Sequence, residues 1–154
     1  MLRSDLLRVN CARMTSAVVV RPMTVADLES ARALWREAEG VALAVGDDVD
    51  TLTRYLARNP GLSAVAVENE RLVGAVLAGH DGRRGYLYHL AVVRERQGAG
   101  IGRALAERVQ HGMKEAGVER SLILVLKGND AGRRFWERLG WEGLAHAEPM
   151  GIDL

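Results

Sequence analysis

Three glycines at every second position, Gly98, Gly100 and Gly102, separate an apolar run from a helical pattern. The run before them, residues 86–92, is rich in aromatic and aliphatic side chains and predicts a β-strand. After them, apolar residues recur at helical spacing over 101–116, which predicts a helix with one apolar face. Glycine lets the backbone turn sharply and approach a ligand, and the first turn of a helix carries unpaired amides and a partial positive charge. The junction therefore predicts a binding site for a phosphate or pyrophosphate.

This turn does not fit the two most familiar nucleotide-binding motifs. A G-x-G-x-x-G fingerprint counted from Gly98 would need glycine where Arg103 stands, and a P-loop would need Gly-Lys-Ser/Thr, which the chain lacks. The remaining pattern is Gln97-x-x-Gly100-x-Gly102. Its less favoured alternative is a turn that only joins a strand to a helix.

The pattern Gln97-x-x-Gly100-x-Gly102 resembles the acyl-CoA pyrophosphate loop of the GNAT superfamily of N-acyltransferases, Arg/Gln-x-x-Gly-x-Gly/Ala. Two more segments extend the resemblance to about residues 17–141. The segment 20–27 is similar to the opening strand and helix of that superfamily, and the segment 129–141 resembles its closing motif, in which Asn opens a helix that ends in Phe-Tyr-x-x-x-Gly. The stretch 79–85 resembles an uncharacterised bacterial branch, so it names no substrate. The resemblance implies an α/β (α+β) fold with a mixed, mostly antiparallel central sheet and helices on both faces.

The resemblance also implies a reaction, the direct transfer of an acetyl group from acetyl-CoA to a primary amine through a tetrahedral intermediate. The acceptor is expected to be a small amine or amino acid; the alternatives are the N-terminus of a peptide or protein, or a catalytically silent acyl-CoA-binding module. No metal is implied. An amide of Leu90 or Ala91 would stabilise the oxyanion, which is worth roughly 3–4 kcal/mol per donor. The residues implied to bind acetyl-CoA are Leu90, Ala91, Val92, Gln97, Gly98, Ala99, Gly100, Ile101, Gly102, Arg103, Asn129 and Trp136.

Proton transfer is where the sequence departs from the superfamily. An alkylammonium with a pKa of about 10.4 needs about 4.6 kcal/mol to lose a proton at pH 7, so a general base is expected. Tyr86 stands where the superfamily often has Glu, which leaves Tyr88, His89 and His80 as nearby substitutes. Trp136 replaces the tyrosine that usually protonates the leaving thiolate, and an indole can only donate a hydrogen bond. Tyr88 or solvent is the expected proton donor. The catalytic candidates are thus Tyr88 and His89, with Tyr86 as a third.

Length, net charge and cysteine content limit the domain organisation, partners and compartment of the chain. At 154 residues and a net charge of +1, the chain predicts one domain with no electrostatic preference for nucleic acid, and no apolar run is long enough to span a membrane. The single Cys11 fits a reducing, cytoplasmic compartment. Residues 1–16 predict a flexible extension in which Met14 could serve as an alternative start, and residues 17–154 predict a single acyltransferase domain. A homodimer is left open.

The remaining pattern predicts the element order β-α-α-β-β-β-α-β-α-β. Residues 17–21 predict a first strand, residues 121–126 predict a strand buried on both faces, and a last irregular strand is expected from Trp141 to Ile152. Asp47, Asp48 and Asp50 cluster before a short helix at about 51–58. They either dock a cationic acceptor or, as we favour, cap that helix and complement its dipole.

Overall fold

The computed structural model describes residues 16–154, so Cys11, Met14 and nearly all of the predicted extension lie outside the described residues. The strands and helices follow one another in the order β1, α1, α2, β2, β3, β4, α3, β5, α4. The strands are β1 (Val19–Pro22), β2 (Ala64–Glu68), β3 (Arg71–His80), β4 (Arg84–Val92) and β5 (Arg120–Ile123), and the helices are α1 (Leu28–Glu37), α2 (Val49–Arg58), α3 (Ile101–Glu115) and α4 (Asp130–Arg138).

The five strands form one sheet in sequence order. Strands β1 to β4 pair antiparallel, and β5 lies parallel to β4 after the chain crosses over through α3. Asn69 and Glu70 join β2 to β3 with φ angles of 50° and 61°, as the two central residues of a type I′ hairpin require. The predicted mixed, mostly antiparallel sheet is confirmed.

The sheet carries a hydrophobic core on each face. On one face α3 buries Leu105, Val109 and Met113 against β3 and β4. On the other face α1 and α2 bury Trp35 and Leu52. Because β3 is covered on both faces, its side chains alternate between the two cores and its sequence is apolar almost without interruption.

Polar side chains set the beginnings of the first two helices. Asp27 accepts hydrogen bonds from the Thr24 amide and from Nη1 and Nη2 of Arg21, each at 2.8 Å. The hydrogen bond from Arg21 is the main reason that the pKa of Asp27 falls from 3.8 to about 2. Asp48 caps α2 by accepting from the Thr51 amide at 2.9 Å, which also lowers the pKa of Asp48. The capping role that we favoured for the aspartate cluster is therefore confirmed for Asp48.

Two expectations for the end of the chain are wrong. The segment from Trp141 to Ile152 forms no strand, and Met150 and Ile152 are exposed. Strand β5 ends at Ile123 and is only partly buried, because it forms the edge of the sheet; Leu124 beyond it is 69% exposed. The apolar run 121–126 resembled an interior strand, but its second half leaves the sheet.

Candidate active site

A cleft opens where β4 and β5 separate. The two strands pair from Arg84 with Arg120 as far as Leu87 with Ile123. Beyond that point β4 continues to Val92 while β5 has ended. Within residues 16–154, no strand lies beside the β5-facing edge of β4 over 88–92. The resulting cavity has a volume of about 920 Å³ and runs from the end of α1 to the glycine turn and α4. It is long and open enough for an extended ligand that pairs with a strand edge.

The glycine turn forms one end of the cleft. Gly98 and Gly100 have φ angles of 79° and 83°, which side chains rarely allow, and a Cβ on either residue would have no atom within 4 Å. Gly100 precedes the first residue of α3, so the amides of 101–103 have no partner inside the helix, nor do they donate to another backbone acceptor in the part of the chain described. Gly102 lies against the ring of Phe135, 3.4 Å from the position of an added Cβ. The turn thus presents free backbone donors in space that no side chain fills.

Charge is distributed unevenly along the cleft. Five arginines line the end that includes the glycine turn, where Glu95 is the acidic residue: Arg71, Arg94, Arg96, Arg103 and Arg138. Arg96 is held at 3.0 Å by Glu68 of β2, which fixes the segment before the glycines to the sheet. The opposite end carries Glu37 and Glu39 at the end of α1. An anionic ligand is therefore favoured at the glycine end, and a cationic group at the other.

A β-bulge interrupts β4 beside the cleft. Ala75 pairs with Ala91, but Leu77 pairs with Tyr88, so that two residues of β4 oppose one of β3. His89 lies in the bulge with a φ of 53°. Strict alternation after Leu87, which faces α3, would also turn His89 towards α3. The extra residue instead brings His89 to the α1 side, where its ring lies 5.2 Å from that of Trp35.

His89 is held there by the loop between α1 and α2. Its Nε2 lies 2.9 Å from Oδ1 of Asp47, and both side chains are about 85% buried. The other carboxylate oxygen of Asp47 accepts from the Ala44 amide, and the carbonyl of Asp47 accepts from Nε of Arg32, each at 2.8 Å. The indole nitrogen of Trp35 is buried without a hydrogen-bond partner among the described residues. The bulge and the loop therefore form one connected site.

All three tyrosines of the chain lie near this bulge. Tyr86 and Tyr88 are on the same face of β4 with nearly parallel rings 6.2 Å apart, and Tyr55 of α2 packs into the same core as Tyr88. Burial, and secondarily the neighbouring Tyr86, raise the pKa of Tyr88. Tyr55 has its pKa raised for the same main reason. Tyr88 therefore keeps its proton at neutral pH and can act as a donor.

Helix α4 forms the wall opposite β4. Asn129 caps it, its Oδ1 accepting from the Gly132 amide at 2.9 Å. The side-chain amide of Asn129 also contacts Gly40 in the loop after α1, and a Cβ added to Gly40 would overlap that amide. Trp136 packs edge-on against Phe135 and Trp141, with ring centroids 5.0 and 5.1 Å away. Asn129 therefore connects α4 to the loop after α1.

The cleft brings together nearly all of the residues that the sequence singled out. Those that line it are Tyr88, His89, Leu90, Ala91, Val92, Gln97, Gly98, Gly100, Ile101, Gly102, Arg103, Asn129 and Trp136. Tyr86 and Ala99 do not line it, and His80 lies at the far end of β3, where its Nδ1 accepts from the Gly82 amide. Sequence reasoning missed the bond between Asp47 and His89 and the contact of Gly40 with Asn129, because both join residues more than 40 positions apart.

Comparison with known proteins identifies this arrangement. The model of the acetyltransferase (GNAT) family matches residues 28–141, which include both cleft walls and the glycine turn. The chain belongs to the GNAT family of acetyltransferases. It is 33% identical over 116 residues to an acetyltransferase of Photorhabdus laumondii, an alignment that covers 75% of this chain and 80% of the relative.

Solved structures show the same fold at lower identity. Ard1 from Thermoplasma volcanium superposes with a TM-score of 0.74 at 18% identity, covering 84% of this chain and 85% of Ard1. An aminoglycoside acetyltransferase from an uncultured soil metagenomic sample, in complex with sisomicin, superposes with a TM-score of 0.68 at 20% identity, covering 89% and 96%. The expected family and fold are thus confirmed, and this acetyltransferase is an enzyme.

Residues 16–154 contain no group of three or more His, Cys, Asp or Glu side chains placed to hold a metal ion. Over the same residues, none of the helices combines the length and apolar character that crossing a membrane requires.

Proposed function

We propose that this enzyme transfers the acetyl group of acetyl-CoA to a small primary amine. The observation that carries the proposal is the cleft between the separated strands, which ends on the free amides of the glycine turn. A pyrophosphate fits there because positive φ angles at Gly98 and Gly100 leave the space open and the first turn of α3 supplies donors. Arg103 adds a positive charge beside them.

The unpaired edge of β4 suits the rest of the donor. An amide-containing pantetheine arm can pair with the backbone of Leu90, Ala91 and Val92 as a missing strand would, and Asn129 and Trp136 bound the arm on the other side. The thioester then lies near the bulge, where the amide of Leu90 or Ala91 is our candidate for stabilising the oxyanion.

In this proposal, residues of the bulge transfer the protons. We assign His89 as the general base that takes a proton from the acceptor ammonium, and Tyr88 as the group that protonates the leaving thiolate. Tyr88 lines the cleft, and its raised pKa keeps the hydroxyl protonated. Trp136 has no acidic proton to offer and serves as a cleft wall.

The acceptor is proposed to enter from the α1 end. Glu37 and Glu39 give that end a negative charge, which favours an ammonium group. A protein that shares the fold is an aminoglycoside acetyltransferase in complex with sisomicin, which is consistent with a small acceptor.

A thiol-release assay with acetyl-CoA tests the proposal. The panel holds aminoglycosides, amino acids, aliphatic diamines and peptides with free N-termini, and CoA binding is measured in parallel by calorimetry. We expect CoA binding and thiol release with at least one small amine. Release with peptides alone would reassign the acceptor to an N-terminus, and binding without release from any acceptor would make the protein a silent acyl-CoA-binding module.

A further inference from the structure

The contact between Asp47 and His89 joins Asp47, which does not line the cleft, to a residue that does. Asp47 lies in the loop before α2, and His89 lies 42 positions later in the bulge of β4. Oδ2 and the carbonyl of Asp47 hold the loop together through Ala44 and Arg32. Only Oδ1 reaches out of the loop, and it reaches His89. The two oxygens of this carboxylate therefore serve two different purposes.

The chemistry of this contact determines which ring nitrogen of His89 can accept a proton. A carboxylate oxygen accepts hydrogen bonds and has no proton to donate, so Nε2 carries the hydrogen. In the neutral imidazole the lone pair is then on Nδ1. We propose that Asp47 is a positioning residue that holds His89 in this tautomer and orientation, so that Nδ1 accepts the proton of the acceptor amine. The inference rests on the proposed function for its substrate and adds a residue to its mechanism.

The reaction balances with the groups named. The acceptor ammonium gives one proton to Nδ1 of His89, and the free amine attacks the thioester carbon. As the C–N bond forms and the C–S bond breaks, Tyr88 protonates the CoA thiolate, and the second proton lost by the nitrogen restores the Tyr88 hydroxyl. His89 later returns its proton to solvent. Asp47 stays hydrogen-bonded to Nε2 throughout.

The bulge fixes the backbone of His89, and two contacts fix its ring. Its φ of 53° is uncommon for a residue other than glycine. Packing on Trp35 from one side and the bond to Asp47 from the other keep the ring in place. Without Asp47 the ring would be free to turn or to change tautomer.

A double-mutant cycle with steady-state kinetics tests the inference on the full chain, with Asp47→Ala, His89→Asn and the double variant. We expect Asp47→Ala to lower kcat by about 10²-fold while the acceptor KM and acetyl-CoA affinity hold. His89→Asn is expected to lower kcat by about 10²–10⁴-fold, and the double variant should be no slower than His89→Asn. The matched control is Asp81→Ala, since Asp81 also accepts backbone amides in a loop, those of Arg83 and Arg84, and should leave kcat unchanged.

Two results would contradict the inference, and the kinetics distinguish them. A raised acceptor KM with unchanged kcat in Asp47→Ala would make Asp47 a docking group for the cation and overturn the inference. Losses that multiply in the double variant would show that the two residues act independently.

The tautomer of His89 is measured separately by ¹⁵N NMR of the imidazole. We expect hydrogen on Nε2 in the parent protein and a mixture of tautomers in Asp47→Ala; hydrogen on Nδ1 in the parent would refute the inference. This measurement needs no substrate, so it decides the inference even where no amine releases thiol and the proposed function fails.

Discussion

Gly100→Glu is the sharpest test of the phosphate site, because Gly117 provides a nearly ideal control at the other end of the same helix. The two glycines have φ angles of 83° and 77°, and a Cβ on either would have no atom within 4 Å. Each substitution therefore costs backbone strain of about 1–2 kcal/mol, and the helix dipole changes this by up to about 1 kcal/mol, in favour of a carboxylate at position 100 and against one at position 117. For a chain of this size that strain lowers Tm by about 2–8 °C in both variants.

The two variants should differ once ligand is added. CoA at about 100 times its Kd stabilises the folded state by about 2.7 kcal/mol, which raises Tm by about 5–10 °C. We expect that rise in the parent protein and in Gly117→Glu. In Gly100→Glu the carboxylate occupies the site of the pyrophosphate at the start of α3, so no rise is expected. Differential scanning fluorimetry with and without CoA measures both effects. A Gly100→Glu variant that folds and gains as much Tm from CoA as Gly117→Glu would refute the assignment of the glycine turn.

Three other predictions follow from single side chains. Tyr88→Phe should lower kcat by at least about 10²-fold at unchanged CoA affinity. Trp136→Tyr should leave kcat unchanged or raise it. Normal turnover by Tyr88→Phe would show that solvent donates the proton. Asp27→Asn should lower the free energy of unfolding by about 1–2 kcal/mol at pH 7, a figure reduced for the exposure of Arg21. The pKa of Asp27 is about 2 in the folded state and 3.8 in the unfolded state, so the difference in unfolding free energy between parent and variant should persist above about pH 4 and vanish towards pH 2. Urea titrations measure that difference. A difference that grows in acid would contradict the ion pair. Asp48→Ala should cost about 1 kcal/mol by the same titrations through loss of the cap, at an unchanged acceptor KM; a raised KM would give Asp48 a role in binding the amine.

Local chemistry explains why much of the fold could be predicted from the sequence. The glycines of the turn, the capping Asp48 and the two-residue hairpin at Asn69 and Glu70 each fix the backbone within a few positions. The start of α1 is equally local, since Thr24 and Asp27 satisfy each other's backbone. Such features depend on neighbours in the chain and are visible without tertiary structure.

The wrong predictions concern segments whose structure depends on distant partners. An apolar strand can be interior or at an edge, and nothing within 121–126 indicates that β4 turns away from it after Leu87. The irregular strand expected from Trp141 to Ile152 does not form, and no strand of the described sheet pairs with that segment. In both cases the pairing partner decides the structure, and local propensity does not reveal whether one is present.

The bulge in β4 had a signal in the sequence that strict alternation conceals. The apolar residues of this strand that pack on the α3 core are Leu87, Leu90 and Val92, with a spacing of three and then two. A regular strand cannot place all three on one face, because positions 87 and 90 have opposite parity. One extra residue between them resolves the conflict, and that residue is His89, which Tyr88 and Ala91 flank on the α1 face. The large apolar side chains thus require a bulge within 88–90. The bulge places His89 on the α1 side of the sheet. Because bulges bend a strand, it also helps β4 to diverge from β5. The packing of the α3 core and the position of the proposed base therefore have the same cause.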